Sequence, residues 1–358
     1  MSTFFIVDVG AGTMDVLYYD DASGLNYKAV VKSPVQYVGE RAKGIRGDLL
    51  VTGCEMGGGR LAQVLREHAR TSEVVMTPSA ALTLSHDLEK ISSWGIRLAA
   101  DEDVPRLAAT GKYSRLVFGD LQVEHLRQIA DDLGVPFEFD YVGVCAQDHG
   151  MPPGGVSHLD YRHNIFKEEL DNNPLPYALL YEASEVPPTF NRLVSMARSA
   201  AFIPARRSYV MDSGMAAITG ASMDVEARRL KNILVLDIAT SHTVGAALSD
   251  GEIAGFFEYH TSDITVEKLD SLMEELAEGT LDHGRILREG GHGAYIRKPI
   301  GLGSVEMIVA TGPKRRLVEK SRMKITFGAP LGDNMMTGTV GVLEAIRRRE
   351  KLPPLAYL

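Results

Sequence analysis

The feature that most constrains this chain is a pattern that occurs twice. Residues 4–19 read FFIVDVGAGTMDVLYY and residues 233–248 read ILVLDIATSHTVGAAL. Each is an apolar run ending in an aspartate (Asp8, Asp237), then small or hydroxyl residues, then a second apolar run. The β-branched and aromatic content of these runs favours strands. Each copy turns into a further strand, through DDASGLNYKAVVKS and SDGEIAGFFEYH. The Asp250-Gly251 pair in the second is a strong hairpin signal. Two copies of strand–loop–strand–turn–strand, over 200 residues apart, imply two related lobes. Their aspartate-bearing loops would meet across one cleft.

Glycines after a strand suit several phosphate-binding loops. A dinucleotide fingerprint needs GxGxxG running into a helix, but Asp15 occupies the third glycine position and a strand-like run follows. A Walker A loop needs a GK[ST] ending, and none is present. A tight glycine turn between antiparallel strands remains, its backbone N–H groups facing a phosphate. Gly10 and Gly12 would permit close approach and positive φ, and Asp8 would hold Mg²⁺ through water. An ordinary hairpin with a solvated aspartate is the plain alternative.

At 358 residues the chain is long enough for two cored lobes. No apolar run approaches the roughly 18–20 residues of a membrane helix. The N-terminal MSTFFIVDVG lacks a basic n-region, so a cytoplasmic, non-membrane protein is expected. Net charge is −9 and the basic cluster Arg347–Arg349 is short, which argues against nucleic acid as a partner. Cys54 and Cys145 cannot by themselves form a disulfide framework or a metal cage; they read as buried small residues.

Three further segments fit a two-lobed plan. VEMIVATGPKRRLVE (305–319) reads as strand, turn and helix start. VMDSGMAAITGASMD (210–224) and FGAPLGDNMMTGTVGVLEAIRRRE (327–350) contain helices whose small residues suit close packing at a hinge. In chain order the motifs are DVGAGTMD (8–15), DSGMAAITGA (212–221), LDIATSHTVG (236–245), VATGPKR (309–315) and TGTVGVLEA (337–345). This order resembles the phosphate 1, connect 1, phosphate 2, adenosine and connect 2 motifs of the actin, sugar kinase and heat-shock chaperone ATPase superfamily. Within it the chain resembles a prokaryotic family sometimes labelled a pyruvate formate-lyase activating enzyme. Such an activase needs three closely spaced cysteines for an iron–sulfur cluster, whereas this chain has two, far apart.

The resemblance implies an α/β fold of two ribonuclease-H-like lobes around a central cleft. The first lobe would span 1–210, with an α/β insertion over about 48–200, and the second 211–358. It implies that Asp8 and Asp237 flank Mg²⁺, and that Gly10, Gly12 and Thr13 cradle ATP phosphates opposite Ser241, His242 and Thr243. Gly312 would lie against the adenosine, and Asp212 would orient water or metal. Ala239 and Ser241 replace the glycines of the first loop, so the second loop's approach to phosphate would be looser, or hydroxyls would replace N–H donors.

Between the motifs, DLLVTGCEMGGGRLAQVLREH (48–68) reads as strand, glycine loop and helix, the glycines being an anion site or a flexible connection. Residues 114–148 read as strand, helix and strand. QDHGMPPGGVSHLDYRHN (147–164) reads as a long polar loop carrying Asp148, His149, His158, Arg162 and His163. That loop contacts substrate, binds a metal through His149, His158 and His163, or is structural. The sequence thus points to an Mg-ATP-dependent ATPase or small-molecule kinase, with Asp148 and Asp212 as candidate bases. The alternatives are a nucleotide-gated switch acting on a partner enzyme, and a ligand-binding protein with a degenerate nucleotide cleft. It does not name the acceptor or the oligomeric state.

Overall fold

Each copy of the repeated pattern forms the centre of its own sheet. The computed structural model describes residues 2–152 and 156–355. In the first sheet, β1 (Thr3–Val9), β2 (Thr13–Asp20) and β3 (Asn26–Lys32) form an antiparallel meander. On the other side of β1, β8 (Phe139–Ala146) and β10 (Ala205–Asp212) run parallel, and β9 (Leu180–Glu182) closes the edge. The second sheet repeats this plan. β11 (Asn232–Ile238), β12 (His242–Ser249) and β13 (Glu252–His260) form the meander, and β15 (Met307–Thr311) and β16 (Ile325–Phe327) extend it in parallel. β14 (Gly293–Ile296) lies at the edge beyond β13. The orders are β3-β2-β1-β8-β10-β9 and β14-β13-β12-β11-β15-β16. Three antiparallel strands extended by two parallel ones, twice over, make two ribonuclease-H-like lobes of an actin-like α/β fold.

The central strands are covered on both faces, which is why they read as unbroken apolar runs rather than alternating ones. Phe4, Phe5, Ile6 and Val7 are fully buried, as are Leu234, Val235 and Leu236. At the β12–β13 turn, Asp250 and Gly251 both have positive φ (54° and 78°), as a two-residue type I′ hairpin requires.

A third, four-stranded sheet is inserted in the first lobe. Between β3 and this sheet lies α1 (Pro34–Gly44). β4 (Leu49–Gly53), α2 (Leu61–His68), β5 (Val74–Met76), α3 (Pro78–Ala81), α4 (Leu88–Ser92), β6 (Ile96–Leu98), α5 (Val104–Ala109) and β7 (Ser114–Phe118) follow in chain order. The sheet order is β6-β5-β4-β7, all parallel, over its own apolar core. The insertion is therefore shorter than the expected 48–200. After α6 (Val123–Asp132), β8 returns to the first sheet and pairs with β1, so the strand–helix–strand read over 114–148 bridges two sheets.

Helices α7 (His158–Asn172) and α8 (Asn191–Ala200) belong to the chain around the first sheet, and α10 (Val266–Glu278) and α11 (His283–Arg288) to that around the second. The polar stretch read as a loop to 164 is thus helical from His158, capped by Ser157, whose Oγ accepts from Asp160 N–H. Pro153, Gly154 and Gly155 lie outside the described residues.

Two helices join the lobes. α9 (Ser213–Ser222) packs on β11, and α12 (Thr337–Arg349) packs on β1 and β8. The last helix therefore completes the core of the first sheet, and the lobes are not simply the halves 1–210 and 211–358. The helices cross backbone to backbone. A Cβ on Gly220 would lie 1.8 Å from the Thr337 carbonyl oxygen, and one on Gly341 1.8 Å from that of Ala216. Among the described residues no helix is long and apolar enough to cross a membrane.

Gly341→Ala is expected to force the crossing apart and to destabilise the fold by about 1–3 kcal/mol or more. Gly44→Ala, which enters open space, is expected to change stability by less than about 1 kcal/mol. Urea denaturation of the two variants checks the contrast.

Candidate active site

The hairpin loops β1–β2 and β11–β12 face one cavity of about 1300 Å³. Their turns close identically: Gly10 N–H donates to Thr13 O and Ala239 N–H to His242 O, both at 3.0 Å. Ala239 thus keeps the turn without glycine. The expected positive φ is absent, for neither Gly10 nor Gly12 adopts it. Glycine at 12 answers instead to crowding, since a Cβ there would lie 2.9 Å from Thr240 Oγ1 of the opposite loop.

Carbonyl oxygens of both loops are held by donors from outside the turns. In the first loop, Ser33 Oγ donates to Ala11 O (2.9 Å) and Ser33 N–H to Gly12 O (3.3 Å). In the second, Thr261 Oγ1 donates to Ala239 O (2.9 Å) and Thr261 N–H to Ser241 O (2.8 Å), while Lys314 Nζ holds Thr240 O (2.9 Å). Ser33 follows β3 as Thr261 follows β13, so the repeat extends to the groups that fix each loop.

Three aspartates crowd the floor. Asp8 and Asp15 are directly opposed across β1 and β2, a like-charge pair that is unfavourable by itself. Burial pushes Asp8 up to about 7; the Cys145 side chain and Arg192 oppose this, while Asp237 and Asp212 add to it. Burial, then the Asp8 charge, pushes Asp15 up to about 8, and its Oδ1 has no hydrogen-bond partner. Asp237 rises to about 6 through burial, countered by the hydrogen bond from Thr311 Oγ1 (2.8 Å). Gly338 of α12 lets this floor form, since a Cβ there would lie 2.0 Å from Asp8 Oδ2.

The remaining sequence candidates divide. Gly10, Gly12, Thr13, Ser241, His242, Gly312, Asp148, His149 and His158 line the cavity. Asp212, Thr243, Arg162 and His163 are not among its lining residues. Asp212 caps α9 through Gly214 and Met215 N–H (2.9 and 3.2 Å) and pairs with Arg162 (2.9 Å), which also holds Glu258 of β13 (2.6 Å). Asp148 accepts backbone N–H from Gly150 and Leu193 (2.8 and 2.9 Å). Both proposed bases are thus engaged in holding structure. Thr243 is fully buried against Thr261. Gly312 has φ 88°, and a Cβ there would lie 2.5 Å from the Ile238 carbonyl oxygen. Its chain continues to a 3-10 turn over Arg315–Lys320, where the sequence read as a helix start.

The histidines also regroup. His163 stacks on His283 with centroids 3.7 Å apart, and His158 Nδ1 lies 3.1 Å from Gly150 O. They do not join His149, whose neighbours are His242 and His292 (centroids 6.2 and 5.4 Å). Residues the sequence reading passed over include Arg192, whose guanidinium holds Asp120 (2.8 and 3.0 Å) and Gln147 O (2.7 Å) at the cavity wall. Glu258 and His260 were also passed over. No local motif marks any of them.

A family model described as "Putative pyruvate format-lyase activating enzyme (DUF1786)" matches residues 56–317. Among curated proteins none matched. Similar solved structures include "Lmo2764 protein, a putative N-acetylmannosamine kinase" from Listeria monocytogenes (10% identity, 97% of this chain and 99% of that one, TM-score 0.35). A protein with actin-like ATPase fold and unknown function from Bacteroides thetaiotaomicron is 8% identical over 94% and 95% (TM-score 0.36). A ROK hexokinase from Thermus thermophilus is 11% identical over 98% and 99% (TM-score 0.33).

Two outcomes follow from this electrostatic arrangement. Arg162→Ala leaves two buried carboxylates unpaired and is expected to cost about 3–5 kcal/mol in urea denaturation. The raised aspartates bind protons more tightly folded than unfolded, so their contribution is full below about pH 4 and is lost as pH rises through about 6 to 8. In metal-free protein Asp15→Asn should therefore raise the melting temperature more on the alkaline side of this range than on the acid side, as pH-dependent thermal scans would read.

Proposed function

The chain belongs to the family whose model covers residues 56–317, and we propose that it binds Mg-ATP in the cleft and transfers the terminal phosphoryl group to water or a small molecule. The observation that carries this reading is the matched pair of hairpin loops with their carbonyls held by Ser33, Thr261 and Lys314. A phosphate is repelled by carbonyl oxygen and attracted by N–H, so engaging the carbonyls suits both loops to an anion. Ser241, at the position of Gly12, adds a hydroxyl.

The donors on the cleft floor fit magnesium. Asp8 and Asp237 would hold it, being oxygen ligands of the type Mg²⁺ prefers, and the unpartnered Asp15 Oδ1 leaves an oxygen for a water of its shell. When bound, the ion neutralises charge on the phosphates. The chain's own residues then position: Gly12 and Thr240 bring the loops together, Thr311 orients Asp237, and Arg192 adds positive charge near Asp8. The residues do not fit a radical activase. Cys145 is fully buried in β8 and Cys54 lies after β4 in the inserted unit, and no third cysteine exists for a cluster.

One observation favours a second reading, a nucleotide-gated switch that acts on a partner enzyme. Asp148 and Asp212 are both committed to hydrogen bonds, so neither is free to take a proton from an acceptor hydroxyl. Slow hydrolysis as a timer needs no such base.

Mg-ATP should raise the melting temperature, by the equivalent of about 2.7 kcal/mol at a hundredfold excess over Kd. Asp8→Asn should remove the magnesium-dependent part of that shift, and Gly12→Val should remove most of it by wedging the loops apart. No shift at millimolar nucleotide, confirmed by calorimetry, would contradict the reading. Turnover stimulated by one metabolite supports the kinase, and stimulation only by a protein supports the switch.

A further inference from the structure

A second constellation lines the same cavity and uses nitrogen rather than oxygen. His242 opens β12 and His260 ends β13, and the two are directly opposed in the sheet. His292 immediately precedes β14, where its N–H donates to Glu258 O (2.8 Å). Three neighbouring backbone segments thus fix the three imidazoles at one end of one sheet. A ligand atom from each lies within 4.8 Å of the other two. His260 Nε2 and His292 Nε2 are 3.1 Å apart, close to the ~3.3 Å edge of a tetrahedron with zinc–nitrogen bonds of ~2.0–2.1 Å.

Two of the three imidazoles have a polar group beside Nδ1. His242 Nδ1 lies 2.9 Å from Ser241 Oγ, while its Nε2 is buried with no partner. His292 Nδ1 lies 3.5 Å from Glu258 Oε1 without a hydrogen bond between them, so a small approach would form the carboxylate–histidine pair that orients a metal-bound imidazole and raises its basicity. Glu258 is in turn held by Arg162. We propose that His242, His260 and His292 bind one divalent transition-metal ion, zinc foremost, through their Nε2 atoms, with an open fourth position facing the cleft.

Neutral imidazole is the ligand form. Three histidines with an open position form the pattern of a zinc ion that holds an exchangeable water or anionic oxygen. His149, from the first-lobe side, has a buried, unpartnered Nδ1 and stands beside His292 as a hydrogen-bond partner for that fourth ligand. The site differs from the magnesium site in donor type: oxygen donors select Mg²⁺ and imidazoles select transition metals. It does not depend on nucleotide binding.

The test is a Zn²⁺ titration of chelator-treated full-length protein without nucleotide, followed by calorimetry, with Co²⁺ absorption as a second readout. One equivalent should bind, and Co²⁺ should give the visible bands of a nitrogen-rich, low-coordinate site. His260→Ala/His292→Ala should lose at least ~100-fold in affinity, beyond the usual loss for an outer partner. His68→Ala, outside the cleft, should retain it. Because His292 is buried, His260→Ala alone, at an exposed position, serves if the double variant fails to fold. Zinc binding unchanged by these substitutions, or no binding at micromolar Zn²⁺, overturns the proposal and leaves the histidines hydrogen-bonded to one another only.

Discussion

The contact on which the rest of the structure depends is the crossing of α9 and α12, where Gly220 and Gly341 place backbone against backbone. α9 lies on the second sheet and α12 on the first, so the distance between these helices sets the distance between the lobes. It therefore sets how far the β1–β2 and β11–β12 loops stand apart. The same helix brings Gly338 against Asp8. A methyl group at any of these positions would alter the cleft before it touched a ligand.

Around that crossing, the polar groups are arranged so that each lobe depends on the other. Arg162 joins Asp212 of the first sheet to Glu258 of the second, all three buried. A buried ion pair does little for net stability, but removing one partner is costly, so the arrangement fixes relative position. Glu258 also stands beside His292, which couples that position to the histidine cluster. On the other side of the cavity Asp8, Asp15 and Asp237 repel one another. The cleft therefore holds an oxygen-donor floor and a nitrogen-donor wall, which the two proposals assign to different cations.

Much of the fold was legible because the repeated runs are central strands. Burial on both faces leaves continuous apolar stretches, and Asp8 and Asp237 mark where each emerges. The small-residue helices were legible because only a close crossing explains so many glycines and alanines. The insertion was overdrawn because β8 is as apolar as an inserted strand, and only its pairing with β1 assigns it. The glycine-poor second loop looked doubtful, yet Ala239 closes the same turn as Gly10 because neither position needs positive φ. His149 was placed with His158 and His163 on nearness in sequence, whereas α7 carries those two away. Arg192, Glu258, His260 and His292 come together only through tertiary packing, which no local spacing records.

The most direct measurement is a crystal structure with Mg²⁺ and a non-hydrolysable ATP analogue. The account predicts the β- and γ-phosphates between residues 10–13 and 239–242, with magnesium beside Asp8 and Asp237 and the base toward Gly312. Nucleotide bound elsewhere, or phosphates outside the two loops, would contradict it.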